Sequence, residues 1–167
     1  MSTGQMLLSL VAMMLLSLVV LRQTGDTLET SDTVLASKLE IMAVSESSSM
    51  LEKISALAFD QHTKDSTFTG KVWQLTSPAH LGPEAGEDST SKYNDLDDFN
   101  GYTTVDTTAL GDFSIRCKVE YVDPANPDVA YGAQSWHKKI TVVVHGPAPA
   151  MTDSVQCSTI ISYWFFQ

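Results

Sequence analysis

The chain has 167 residues, 43% of them hydrophobic and 18% charged, with a formal net charge of −10 at pH 7. That length holds one modest core plus an appendage and disfavours a multidomain enzyme. The acidity, carried by the head and the distal part of the stem, disfavours nucleic acid, phosphate groups and an anionic membrane face as partners.

The first charged side chain is Arg22, and from Met6 to Leu21 only Ser9 and Ser17 interrupt an apolar run. A secretory signal needs basic residues ahead of such a run and a small-x-small cleavage site after it, and both are missing, so the segment is expected to stay in the working protein. As a helix Met6–Leu21 covers about 24 Å, somewhat short of the roughly 30 Å hydrocarbon core. It spans a bilayer if its polar flanks snorkel or the bilayer thins. The apolar positions are Met6, Leu7, Leu8, Leu10, Val11, Met13, Met14, Leu15, Leu16, Leu18, Val19, Val20 and Leu21.

After Arg22, Gly25 costs a helix about 1 kcal/mol relative to Ala and the neighbouring threonines restrict rotamers, so a bend or melted break is expected over 25–33. Glu29 and Asp32 then stand where a restarting helix favours acids. From 34 to 59 the helical pattern resumes, with Leu35, Leu39, Met42, Met50, Ile54 and Leu57 forming the stripe that packs under the head. The cluster Ser45–Ser49 interrupts it and reads as a solvated face. Residues 1–59 are thus expected to be a helical stem and 60–167 a globular head.

In the head, residues 60–112 are rich in Asp, Ser, Thr and Gly and read as mostly irregular, with a short strand at Lys71–Leu75. Phe113–Val122 alternates, with Phe113, Ile115, Cys117, Val119 and Tyr121 inward. Lys139–His145 follows with Ile140, Val142 and Val144 inward, and Val155–Phe166 completes a meander ending in Tyr-Trp-Phe-Phe. Asp123–Gln134 and Gly146–Asp153 are the connections. The expected fold class is α+β, a long N-terminal helix (the stem of a lollipop) packed against a C-terminal antiparallel sheet.

Cys117 and Cys157 both lie in phase with the apolar face of their strands, and an external compartment favours a disulfide between them. In a simple meander, however, the two strands flank the middle one at about 9.6 Å, beyond the roughly 7 Å limit for a bridge. Either the strand order differs or these are two buried thiols. Asp95, Asp97, Asp98 and Asn100 are oxygen donors on a Gly-containing turn, which raises calcium. The spacing departs from an EF-hand because Phe99 occupies an expected ligand position, so a simple Asn-Gly turn is preferred. His62, His80, His137 and His145 lack metal spacing and read as surface histidines. No catalytic constellation and no cofactor motif stand out, and Trp164, Phe165 and Phe166 divide between core packing and a subunit contact.

The uncharged N-terminal helix, its amphipathic continuation ending in Leu-Ala-Phe-Asp (57–60) and the C-terminal antiparallel strands together resemble type IV pilins and pseudopilins. Asp-Leu-Asp-Asp-Phe-Asn-Gly-Tyr (95–102), then a strand, then Lys-Lys-Ile-Thr-Val-Val-Val (138–144) is similar to the head of minor pilins of the mannose-sensitive hemagglutinin pilus class. The resemblance implies a leader removed by a prepilin peptidase, a methylated mature N-terminus and extraction from the inner membrane by an assembly machinery. It further implies a homo-oligomeric helical filament at the cell surface, with a part in cell adhesion. If the numbering starts at the mature end, Met1 is the first mature residue and Gln5 takes the place of the family's glutamate. An amide there keeps hydrogen bonding without charge, so docking leans on packing. The other frame, cleaved after Gly4, puts Ser9 at that position. A secretion-type pseudopilin and a single-span protein with an external binding head share the same hydropathy.

Overall fold

The computed structural model describes residues 2–166, and their side chains apart from those of 26–28, 165 and 166. It is an α+β chain: helix α1 (Thr3–Ser55) followed by an antiparallel sheet of β1 (Thr103–Thr108), β2 (Gly111–Asp123), β3 (Asn126–Ala130), β4 (His137–His145) and β5 (Ser154–Ser162). Two compact units divide it, residues 1–38 and residues 39–167, so the C-terminal part of α1 belongs with the sheet.

The expected break at Gly25 does not occur, because α1 runs through 25–33 without interruption. One glycine costs only about 1 kcal/mol. The hydroxyls that compete with helix formation instead fold back onto it: Thr24 donates to the Val20 carbonyl at 2.5 Å, Thr33 to Glu29 at 2.9 Å and Ser37 to Thr33 at 3.0 Å.

Within the second unit, Leu39, Ala43, Ser47 and Ile54 are fully covered, and Met42, Met50, Leu51 and Leu57 pack beside them. Leu35 stays largely exposed. Ser47, read from the sequence as part of a solvated face, is buried because it continues the spacing Leu39–Ala43. Its hydroxyl donates to the Val44 carbonyl at 2.9 Å and meets Cys157 Sγ on β5 at 3.0 Å. Small side chains at 43 and 47 thus let the helix backbone approach the sheet.

The strand order is β1-β2-β4-β5, with β3 also pairing with β2. The inward set on β2 is as expected, Phe113, Ile115, Cys117, Val119 and Tyr121 all being buried, as are Ile140, Val142 and Val144 on β4. The connection 123–134 contains β3, and Lys71–Leu75 forms a 3-10 turn (Val72–Gln74) in place of a strand. The last strand stops at Ser162, and Tyr163–Phe166 is a 3-10 turn. Its turn tucks Tyr163 against Phe59, Phe68 and Trp136 (centroids 5.8, 5.7 and 5.1 Å) while Trp164 remains exposed. The side chains of Phe165 and Phe166 lie outside those described.

The meander order settles the cysteines. Cys117 and Cys157 each sit opposite Val142, on strands separated by β4, and both are free thiols. Two strand spacings amount to about 9.6 Å, too far for a bridge. The expected disulfide is therefore replaced by two unpaired thiols, and burial pushes that of Cys117 up to about 11.

Candidate functional site

Two features of this chain carry chemistry that its packing does not consume. The first is the apolar stretch of α1. Ser2 caps it: the Gln5 and Met6 N–H groups donate to the Ser2 carbonyl at 2.9 and 3.3 Å, and the Gln5 side chain accepts the Ser2 N–H at 3.3 Å. Gln5 is thus the reciprocal arm of a helix cap. Met1 lies outside the described residues. From Met6 to Leu21 every large apolar side chain is exposed, between 53% at Val11 and 75% at Leu8. Apolarity on all sides marks a helix meant to be covered on all sides, by lipid or by other helices. Helix α1 as a whole, Thr3–Ser55, is by length and composition long and apolar enough to cross a membrane.

The second feature is a buried set of charges in the head. Beyond α1, the Leu96 N–H donates to the Ala58 carbonyl at 2.9 Å, which brings residues 94–98 beside Phe59 and Asp60. Asp60, Asp97 and Lys138 are all fully buried. The Lys138 ammonium donates to the Phe59 carbonyl (2.7 Å), Asp60 Oδ2 (3.0 Å) and Asp97 Oδ1 (2.7 Å), and lies over the Phe59 and Tyr121 rings at 4.8 and 5.2 Å. Asp60 also accepts the Thr76 N–H (3.0 Å) and hydroxyl (3.1 Å), the His62 N–H (3.1 Å) and the Tyr121 hydroxyl (3.2 Å). Burial works to raise Asp60, but the Lys138 charge and these hydrogen bonds outweigh it and hold the carboxyl below its ordinary value of 3.8. Tyr121 is pushed up by burial and by the facing Asp60 and Asp97 carboxylates.

Beside this clasp sit Glu84, Asp95 and Asp98, one carboxylate oxygen of each lying within 4.8 Å of the others. Burial and the neighbouring Asp97 and Asp98 carboxylates push Asp95 up to about 9, and burial, Glu87 and Asp98 push Glu84 up to about 8. Of the sequence-derived oxygen donors, Asp95 and Asp98 belong to this cluster, whereas Asp97 is taken by Lys138. Asn100 turns away: its amide donates to the Leu81 carbonyl at 3.0 Å and its oxygen accepts the Val119 N–H at 3.1 Å. That oxygen fills the sheet edge of β2 between its pairings with β1 and β3. The Asn-Gly turn expected there exists, with Gly101 at φ +78° and the Tyr102 N–H closing on the Phe99 carbonyl at 3.1 Å.

No family model, curated protein or solved structure matches this chain. The site therefore rests on its own geometry. Sequence reasoning missed Asp60, Glu84 and Lys138. Lys138 had a signal, since it is in phase with Ile140, Val142 and Val144 and so faces inward on β4; Asp60 and Glu84 had none beyond their proximity to apolar residues.

Proposed function

We propose that this chain is a structural subunit of an extracellular filament of the type IV pilin kind, held in the inner membrane by α1 before assembly and polymerised through it afterwards. The observation that carries the reading is the unbroken exposure of Met6–Leu21 around the whole helix circumference. A helix of this composition is stable either in lipid or within a bundle of like helices, and exchange between the two is nearly neutral in hydrophobic terms. Its span of about 24 Å, short of a full bilayer core, lowers the cost of leaving the membrane. The partners on this reading are identical copies, a prepilin peptidase and an inner-membrane assembly machinery.

The competing reading is a single-span protein with an external binding head, which shares the exposed helix. Electron microscopy of material sheared from the cell surface, with mass spectrometry of its N-terminus, separates them. Fibres containing this chain with Met6–Leu21 intact support the filament. Recovery solely as detergent-bound monomers refutes it.

A further inference from the structure

We propose that Glu84, Asp95 and Asp98 form a binding site for one divalent cation of the calcium class. Oxygens sharing a calcium ion at 2.3–2.6 Å lie at most about 5 Å apart. Carboxylate oxygens of these three residues meet that condition, lying within 4.8 Å of one another.

The hydrogen bonding divides each aspartate in two. Asp95 Oδ1 accepts the Asp97 and Asp98 N–H groups at 3.0 and 3.4 Å, and Asp98 Oδ2 accepts those of Asn94 and Asp95 at 2.7 and 3.0 Å. Among the described residues, Asp95 Oδ2 and Asp98 Oδ1 are buried with no hydrogen-bond partner, on residues with 0% exposure, and Glu84 Oε2 is a buried atom without a partner on a partly exposed residue. A buried carboxylate oxygen with no donor is costly, and these three groups repel one another when ionised. Fixing one oxygen of a carboxylate by backbone N–H groups while leaving the other for a metal is how outer-shell bonds orient ligands.

Nearby protein cations are engaged elsewhere. Lys138 bridges Asp60 and Asp97, and Lys64 donates to the Asn94 carbonyl and side chain. Asn94 in turn holds Glu87 through its amide. The donor set is all oxygen, which excludes the softer metals that select imidazole or thiolate. Calcium accepts a variable oxygen geometry, whereas magnesium demands a near-ideal octahedron. Bound there, the cation ties residue 84 to residues 95–98 and so fastens the segment that leads from α1 to β1.

The test uses the full chain in detergent micelles, stripped with a chelator and titrated with calcium chloride at neutral pH by isothermal calorimetry and by thermal unfolding. One equivalent of calcium is expected to bind and to raise the unfolding midpoint by about 5 °C or more at saturating concentration. Magnesium at the same concentration gives a smaller shift. Glu84→Gln, at a half-exposed position, and Asp98→Asn, which keeps an acceptor for the backbone, are each expected to weaken calcium binding at least tenfold. Absence of calcium binding in the parent chain overturns the site and leaves the cluster as carboxyls sharing protons. Unchanged affinity in both variants, or an equal response to magnesium, overturns it too.

Discussion

Replacing Lys138 by Met removes the donor shared by Asp60 Oδ2, Asp97 Oδ1 and the Phe59 carbonyl while keeping side-chain length. Two carboxylates with 0% exposure then face each other across the vacated position. The cheapest relief is to share one proton between them. Starting from the ordinary carboxyl value of 3.8, protonating one group at pH 7 costs about 1.36 kcal/mol per pH unit, or about 4 kcal/mol, and at pH 5 about 1.6 kcal/mol. The first figure agrees with the roughly 3–5 kcal/mol seen when one member of a buried ion pair is removed. Urea unfolding of the full chain in detergent, followed by tryptophan fluorescence at both pH values, measures the difference. The triple variant Lys138→Met, Asp60→Asn, Asp97→Asn is expected to recover most of the loss. A cost under about 1 kcal/mol at pH 7, or one that does not shrink at pH 5, refutes the assignment of Lys138 as the neutralising group.

In the parent chain Asp60 is held below 3.8, so it binds fewer protons folded than unfolded. Its contribution to stability is complete above that value and is lost as pH falls through its lowered native value; carbon-13 NMR titration of the carboxyl should find it still ionised when exposed aspartates have protonated. Gly111→Ala should cost about 1–3 kcal/mol in the same unfolding assay, because Gly111 sits at φ +124° and a Cβ there comes within 2.7 Å of Pro147 Cβ; Gly132→Ala, with open space around it, serves as the near-neutral control. Intact mass should be identical with and without reductant, and maleimide should label Cys117 only after unfolding, since that thiol is buried and free. Leu15→Lys should abolish fibres and weaken membrane insertion by about 2.5–3.5 kcal/mol while leaving the unfolding of residues 39–167 unchanged; continued polymer formation counts against the filament reading.

The sheet was legible where one face is buried and the other wet. On β2 and β4 the alternation of apolar and polar residues located both strands and named their inward sets. Thr103–Thr108 escapes because every residue of β1 is exposed or half-exposed, leaving no alternation to see; its place comes from pairing with β2. The expected break counts Gly25 and the rotamer restriction of its neighbouring threonines as costs, whereas hydroxyls such as that of Thr24 bond back to the preceding turn. Ser47 was hidden by its polar neighbours, although its spacing from Leu39 and Ala43 was regular. At the acidic loop the sequence favours a simple Asn-Gly turn, which is present, but does not show which of its oxygen donors come together. Which of Asp95, Asp97, Asp98 and Asn100 share a partner depends on Lys138 and Glu84, residues outside the loop, and no pattern within the loop encodes that.

The ammonium of Lys138 meets Asp60 and Asp97 across sequence separations of 78 and 41 positions. Local contacts such as those of Leu96 to Ala58 and Thr76 to Asp60 need only the chain before position 100, whereas the neutralising contacts of Lys138 need the chain through β4. Closure of the head around Lys138 is therefore a non-local step, with slow formation as its expected kinetic signature.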